Sequence, residues 1–147
     1  MCACNRGSHP QDTGKVAPDF TLSNGGTTVH LANYRGRVVL LNFWFSTCPP
    51  CIAELPSLEK LHRDMPKLAI IAVSVDQDPA SYKSFIVSHH MDLIMVRDSS
   101  QSVPALYGTK MYPETYLIGP KGIIRSRFIG AQDWSDPAIR NLIRSLM

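Results

Sequence analysis

An apolar run at residues 38–45 leads, after two polar residues, into the motif Cys48-Pro49-Pro50-Cys51. The run is β-branched at its start and is interrupted by Asn42, a pattern typical of a strand buried on both faces. Apolar residues then recur at helical spacing through residue 65. The two cysteines therefore lie where a central strand passes into a helix, which requires a sheet covered by at least one helix.

Strands and helices alternate along most of the chain. A strand, a helix and a second strand in this order form a parallel pair with a right-handed crossover. Pro56 lies inside the first helix and should kink or break it, because proline supplies no amide donor. Predicted strands cover residues 17–22, 28–31, 38–45, 68–75, 93–96, 114–118 and 123–129, and predicted helices cover residues 49–65, 80–90, 100–106 and 136–146. The predicted fold class is α/β, with a central mixed β-sheet flanked by helices.

The composition is that of an ordinary globular protein with one domain. The chain has 147 residues, of which 44% are hydrophobic and 18% charged. Its net charge of +3 comes from scattered residues, so we expect no nucleic-acid partner. No apolar stretch reaches the roughly 18 residues that a membrane span needs. We assign the domain to residues 16–147.

Residues 1–15 form a polar segment rich in turn-forming residues, and we expect a flexible leader there. Two interpretations of Cys2 and Cys4 stay open. In the first, one of the two cysteines is the lipidated residue at a signal-peptide junction, and an N-terminal segment has been removed. In the second, both cysteines belong to a start-site or tag remnant without function. Metal binding by this pair is not favoured, because no other ligand lies nearby in sequence. We expect no metal site.

The cysteine motif has the spacing of a redox-active disulfide. Pro49 and Pro50 suit the first turn of a helix, because they fix the backbone angles and lack amides that would be unpaired there. Cys48 then lies at the helix N-terminus, which favours the thiolate, the nucleophile in thiol–disulfide exchange. Cys51 is placed to resolve a mixed disulfide. A purely structural bridge would close a very small loop with little entropic benefit, and zinc would require a second ligand pair. No other cofactor is expected.

A CxxC motif near a βαβ pattern is a general sign of thioredoxin-like redox proteins. The segments APDFTL, LANYRGRVVLLNFW, STCPPCIAELPSLEKL and YPETYLIGPKGII resemble, in order and spacing, the TlpA/ResA-type thiol–disulfide oxidoreductases. This group of the AhpC/TSA-redoxin superfamily is similar to the cytochrome c maturation thioredoxins. The resemblance covers the chain from Val16 onward. It implies a thioredoxin-like fold with an N-terminal strand or hairpin extension and a βα insertion.

The resemblance implies a substrate-binding region away from the cysteines in sequence. Tyr112-Pro113 matches the cis-proline of the family, beside which the client backbone pairs with the protein. Trp44 matches an aromatic residue under the active site, which contacts substrate or packs the core. Glu114 could shape substrate choice or face solvent, and solvent exposure is our expectation.

Glu54 matches an acidic residue that several family members use near the active site. It could take the proton from Cys51 during resolution. Asn42 stands where ordinary thioredoxins carry a buried aspartate, and an amide cannot accept that proton. Two positions depart from the family. Thr47 replaces a common tryptophan and Met111 replaces a small residue, so the substrate range is expected to differ.

We therefore expect a monomeric reductant of client protein disulfides that acts in the periplasm or on the outer face of the cytoplasmic membrane. Its electron donor would be a membrane thiol-transfer protein. One alternative is a peroxiredoxin-like peroxidase, which shares the opening segments, but such enzymes need a threonine where Phe45 stands. Another is a copper-binding chaperone that uses Cys48, Cys51 and a histidine, since soft thiolates suit Cu(I).

Overall fold

Seven strands, four α-helices and a 3-10 helix (Leu31–Tyr34) occur in the described part of the chain, residues 13–24 and 26–147 of a computed structural model. The strands are β1 (Thr21–Asn24), β2 (Thr27–His30), β3 (Val39–Trp44), β4 (Ala69–Ser74), β5 (Ile94–Arg97), β6 (Glu114–Ile118) and β7 (Ile124–Ile129). The helices are α1 (Pro49–Asp64), α2 (Pro79–Ser88), α3 (Ser102–Tyr107) and α4 (Pro137–Ser145). The predicted α/β alternation is confirmed.

Five strands form one mixed sheet in the order β5-β4-β3-β6-β7. β3 lies at its centre, parallel to β4 and antiparallel to β6, and β7 completes a hairpin with β6. The strands β1 and β2 pair with each other in a separate antiparallel hairpin, which is the N-terminal extension. β5 and α3 supply a further strand–helix unit before the last hairpin. This is a thioredoxin-like fold.

Successive side chains of β3 point to opposite faces of the sheet, as the pleat of a strand requires. Val39, Leu41 and Phe43 pack beneath the N-terminal hairpin and α3. Leu40 and Trp44 pack on the other face, in a cluster that includes the buried side chains of α1 and α4 as well as both cysteines of the motif. Every residue of β3 is buried, which explains why its sequence is almost continuously apolar.

Of the predicted kink or break at Pro56, the break is wrong. α1 runs through this residue to Asp64 as one helix of 16 residues. Pro56 is exposed, whereas Leu55 and Leu58 on the opposite side of the helix are buried. Burial of that apolar face holds the helix together across the missing backbone hydrogen bond.

The first predicted strand, at residues 17–22, is displaced toward the C-terminus. Asp19 Oδ1 accepts the backbone amides of Phe20 at 2.9 Å and Ala32 at 3.0 Å, and the amide of Ala17 donates to the carbonyl of Gly122 at 2.9 Å, so isolated contacts rather than a regular ladder hold this segment. Regular pairing starts at Thr21.

The leader was predicted to extend to residue 15, but backbone hydrogen bonds begin earlier. The amide of Gly14 donates to the carbonyl of Ile124 at 2.8 Å, and the amide of Ile124 donates to the carbonyl of Lys15 at 2.9 Å. Cys2 and Cys4 lie outside the described residues, as does Gly25. In the part that is described, no helix has the length and apolar character needed to cross a membrane.

Candidate active site

Cys48 and Cys51 form a disulfide at the start of α1, directly beyond the C-terminal end of β3. Cys48 is the N-cap residue of the helix, and its Sγ accepts the backbone amide of Cys51 at 3.3 Å. Pro49 and Pro50 occupy the first helical positions and are exposed. Free amides at a helix N-terminus stabilise negative charge. The geometry therefore favours a thiolate on Cys48 after reduction.

The loop before β6 completes the site from the other side. The Tyr112-Pro113 peptide bond is cis, and the carbonyl oxygen of Tyr112 lies 3.8 Å from Cys48 Sγ. The ring of Phe45 packs edge-on against the ring of Tyr112, with centroids 5.7 Å apart. Pro113 is buried, whereas Met111 is 63% exposed. Backbone and apolar side chains thus flank the disulfide where another polypeptide could approach.

A buried carboxylate fixes the segment between β3 and the cysteines. Asp76, just beyond β4, accepts the backbone amide of Ser46 at 3.1 Å and the hydroxyl of Ser46 at 2.7 Å. The hydroxyl of Ser74 donates to the second oxygen of the same carboxylate. Ser46 stands two residues before Cys48, so this network holds the approach to the disulfide. Sequence reasoning missed it, because the partners are 30 residues apart.

Glu54 lies one turn after Cys51 on the same helix and is only 3% exposed. Its Oε1 accepts the indole Nε1–H of Trp134 at 2.6 Å. Burial raises the pKa of Glu54 from 4.5 to about 7, and the hydrogen bond from Trp134 opposes this rise. A carboxyl group with this pKa can gain and lose a proton at neutral pH.

Glu114 does not face solvent, as the sequence suggested, but is 1% exposed. Its Oε2 accepts from Arg127 Nε at 2.8 Å, and its Oε1 accepts from the hydroxyl of Tyr116 at 3.0 Å. The expectation was wrong because the buried partner of Glu114 is supplied by the neighbouring strand, β7. Glu114 directly follows Pro113, so its pair with Arg127 anchors that end of the loop.

Trp44 packs the core and is not available to a substrate in this structure. The residue is 1% exposed, and its ring lies against Phe85, with centroids 5.3 Å apart, and against Tyr82. The substrate-contact interpretation is corrected accordingly. Asn42 is also buried, and its side-chain amide donates a hydrogen bond to Thr115 Oγ1 on β6 at 2.9 Å, so no titratable group stands at this position.

A groove of about 400 Å³ lies between the segment that leads to Cys48 and the segment after β4. Its lining includes the aromatic rings of Phe45 and Tyr112 together with the polar side chains of Thr47, Ser81 and Gln101. Thr47, which replaces the tryptophan common in the family, is exposed here. Within the described residues, no group of three or more histidine, cysteine or acidic side chains is placed to hold a metal ion.

The sequence profile of the AhpC/TSA family matches residues 13–127, well over half of the chain. The chain belongs to the AhpC/TSA family. This AhpC/TSA protein is 34% identical over 122 residues to the thioredoxin-like protein YneN of Bacillus subtilis, an alignment that covers 80% of the chain and 71% of the relative. It is also 34% identical over 125 residues to the thiol-disulfide oxidoreductase ResA of Oceanobacillus iheyensis, which covers 80% of the chain and 65% of that relative.

Solved structures of similar proteins agree with this placement. A thiol:disulfide interchange protein described as DsbE, from Chlorobium tepidum, matches this AhpC/TSA protein with a TM-score of 0.85 and 27% identity, over 92% of the chain and 97% of its own. The pneumococcal exposed lipoprotein thioredoxin Etrx1, from Streptococcus pneumoniae, matches with a TM-score of 0.74 and 26% identity, over 88% of the chain and 100% of its own. Within its family the chain is a thiol–disulfide oxidoreductase of the ResA type.

Proposed function

We propose that this protein reduces disulfides in client proteins outside the cytoplasm, in the manner of the cytochrome c maturation thioredoxins. The observation that carries the proposal is the Cys48–Cys51 disulfide with Cys48 as the N-cap of α1. This position stabilises a thiolate on the residue that would attack a client. The thiol-disulfide oxidoreductase ResA is a relative by sequence, and DsbE a relative by structure.

The reaction starts from the reduced pair. The Cys48 thiolate attacks one sulfur of the client disulfide, and the other client sulfur leaves as a thiolate. Glu54 then takes the proton from Cys51, and the Cys51 thiolate attacks Cys48 in the mixed disulfide. The second client sulfur leaves with the electron pair and gains a proton. Two electrons thus pass from the protein to the client, and the protein ends in the disulfide form.

The backbone of Tyr112 is the proposed contact for the client chain. Its carbonyl lies 3.8 Å from Cys48 Sγ, so an extended client segment paired there would place its own sulfur beside Cys48. Met111 and Phe45 offer apolar contacts on either side of that segment. We infer that the protein works as a monomer on this face, with no cofactor besides its own disulfide.

A membrane thiol-transfer protein is the proposed electron donor, because oxidised Cys48–Cys51 must be re-reduced after each cycle outside the cytoplasm. An anchor upstream of the domain, or a lipid on Cys2 or Cys4, would hold the protein near that donor. The solved structure of an exposed lipoprotein thioredoxin with the same fold supports this arrangement.

The midpoint potential of the Cys48/Cys51 pair tests the direction of electron flow. Thiol-labelling mass spectrometry across a set of redox buffers would measure it. A value near or below about −230 mV supports a reductant, whereas a value near about −120 mV would identify an oxidant and overturn the proposal. In a second measurement, Cys51→Ser should trap a client as a mixed disulfide with Cys48, and Cys48→Ser should trap none and lose insulin-reducing activity.

Two other functions share features of this chain and are separated by simple assays. A peroxidase of the peroxiredoxin type would need a threonine at the position of Phe45, whose ring instead packs on Tyr112. Peroxide consumption coupled to thiol oxidation would favour that function. A copper chaperone would bring a histidine to Cys48 and Cys51, and stoichiometric, chelator-resistant copper in the purified protein would favour it.

A further inference from the structure

Trp134 lies between β7 and α4 and is joined to α1 by two hydrogen bonds. Its indole Nε1 donates to Glu54 Oε1 at 2.6 Å, and its backbone amide donates to Ser57 Oγ at 3.0 Å. The same hydroxyl donates to the backbone carbonyl of Glu54 at 3.1 Å. Both the side chain and the backbone of Glu54 are therefore tied to one tryptophan.

The indole has little freedom to leave this position. Trp134 is 0% exposed, and its ring packs edge-on against Phe128 with centroids 5.2 Å apart. Its carbonyl accepts from Arg140 Nε at 2.9 Å, which fixes the backbone on the side of α4. Contacts from β7, α4 and α1 thus hold the indole N–H donor in place.

The two oxygens of Glu54 consequently differ. An indole N–H can only donate, so Oε1 must act as an acceptor whether Glu54 is charged or neutral. Oε2 is buried and has no hydrogen-bond partner among the described residues. A carbonyl oxygen accepts a hydrogen bond better than the hydroxyl oxygen of the same neutral carboxyl group, so the contact with Trp134 favours the proton on Oε2 when Glu54 is neutral.

We propose that Trp134 is a positioning residue, which makes Oε2 of Glu54 the oxygen that takes the proton of Cys51. The proposal rests on the proposed function, in which Glu54 is the base for Cys51. Cys51 and Glu54 are both buried and stand three positions apart on α1, so they project from the same side of the helix. The proton passes from the Cys51 thiol to Oε2, and the thiolate left on Cys51 attacks Cys48 and displaces the client sulfur with its electron pair.

Charged neighbours contribute little to the titration of Glu54. Burial is the largest cause of its raised pKa, and the Trp134 hydrogen bond is the opposing cause. Arg140, the charged group that contacts Trp134 from α4, is paired with Asp64 at 2.7 Å. On α1 itself, Cys51 becomes a titratable neighbour after reduction. The hydrogen bond from Trp134 is thus the specific contact that opposes the effect of burial on the pKa of Glu54.

Nuclear magnetic resonance on the unmodified chain tests the contact directly. The protein has two tryptophans, so ¹⁵N labelling gives two indole N–H signals. The Trp134 signal should move downfield with a midpoint near pH 7 as Glu54 ionises, because a carboxylate is the stronger acceptor. Trp44, whose buried indole nitrogen has no partner among the described residues, is the internal control. A Trp134 signal that stays constant while the Glu54 carboxyl carbon titrates would overturn the proposal.

Kinetics with Trp134→Phe test the consequence, in chains where Cys2 and Cys4 are serine. An aromatic disulfide such as dithiobis(nitrobenzoate) releases one thiol when Cys48 attacks and a second when Cys51 resolves. Loss of the hydrogen bond should raise the pKa of Glu54 by about one unit, which slows the second phase about fivefold at pH 7 and restores it at higher pH. The first phase should not change.

The outcomes separate the two levels of the argument. If Glu54→Gln resolves as fast as the unchanged protein at every pH, then Glu54 is not the base and the proposed function loses that step. If Glu54→Gln is slow but Trp134→Phe leaves the pH midpoint of the second phase in place, then the inference on Trp134 alone fails.

Discussion

Arg127 Nε lies 2.8 Å from Glu114 Oε2, and the carboxylate it contacts is almost completely buried. Removing the guanidinium would leave an unpaired charge in the core, which costs about 3–5 kcal/mol in similar cases. We therefore expect Arg127→Met to lower the free energy of unfolding by that amount in urea titrations. Since Glu114 follows Pro113 directly, thiol exchange should also slow.

Arg125 on the same strand provides the matched control. Its side chain is exposed, so Arg125→Met should change the free energy of unfolding by less than about 0.5 kcal/mol. Equal losses for the two variants would contradict a specific role of the buried pair.

The stability of the oxidised protein should fall as pH rises through 7. The pKa of Glu54 is 4.5 in an ordinary environment and about 7 in the folded state, so the folded state binds this proton more tightly than the unfolded state. The contribution of Glu54 to the free energy of unfolding is fully present below about pH 4.5 and is lost as pH passes 7. At about 1.4 kcal/mol per pKa unit it amounts to about 3 kcal/mol.

Glu54→Gln should abolish this dependence, because the amide does not titrate. Denaturant unfolding of the oxidised proteins from about pH 5 to about pH 8 would measure the difference. A free energy of unfolding that falls equally in both proteins would assign the pH dependence to other groups.

Asp76→Ala should destabilise the protein and slow the attack of Cys48. The substitution leaves the amide of Ser46 and the hydroxyls of Ser46 and Ser74 buried without their acceptor, at a cost of about 3 kcal/mol. Thermal unfolding and the rate of Cys48 alkylation would show both effects. For comparison, Asp78→Ala removes an exposed helix cap on α2 and should cost less stability than Asp76→Ala.

Pro56→Ala should stabilise the protein by about 1–2 kcal/mol. An alanine restores the amide that α1 lacks in its interior, and this gain exceeds the entropy that proline removes from the unfolded chain. Arg63→Ala, an exposed substitution in the same helix without a proline, is the control. A loss of stability in Pro56→Ala would contradict this expectation.

Local patterns predicted the part of the site that is local. Residues 38–45 are apolar because both faces of β3 are covered, and the helical spacing after Cys48 reflects burial of one side of α1. The two cysteines, their prolines and Glu54 lie within a few residues of each other, so spacing alone was enough to place them on one helix.

The parts that were missed depend on distant contacts. Trp134 is 80 residues from Glu54, and nothing in its own neighbourhood indicates a carboxylate partner. Glu114 was expected at the surface because it is charged, and its buried position follows from Arg127 on the paired strand. Such residues can be recognised only when the pairing of the strands is known.

The central sheet brings Cys48 and Tyr112, 64 residues apart, to the same edge. β3 ends just before Cys48, β6 starts just after Pro113, and the two strands pair with Phe43 opposite Glu114. A slip of one residue between these strands would turn every side chain of β6 to the other covered face of the sheet, moving Glu114 out of its place and drawing the loop away from the disulfide. The reactivity of the thiol pair toward another protein thus depends on the alignment of two strands. A chain that carries the motif but misaligns the sheet would keep both cysteines without the backbone contact beside them.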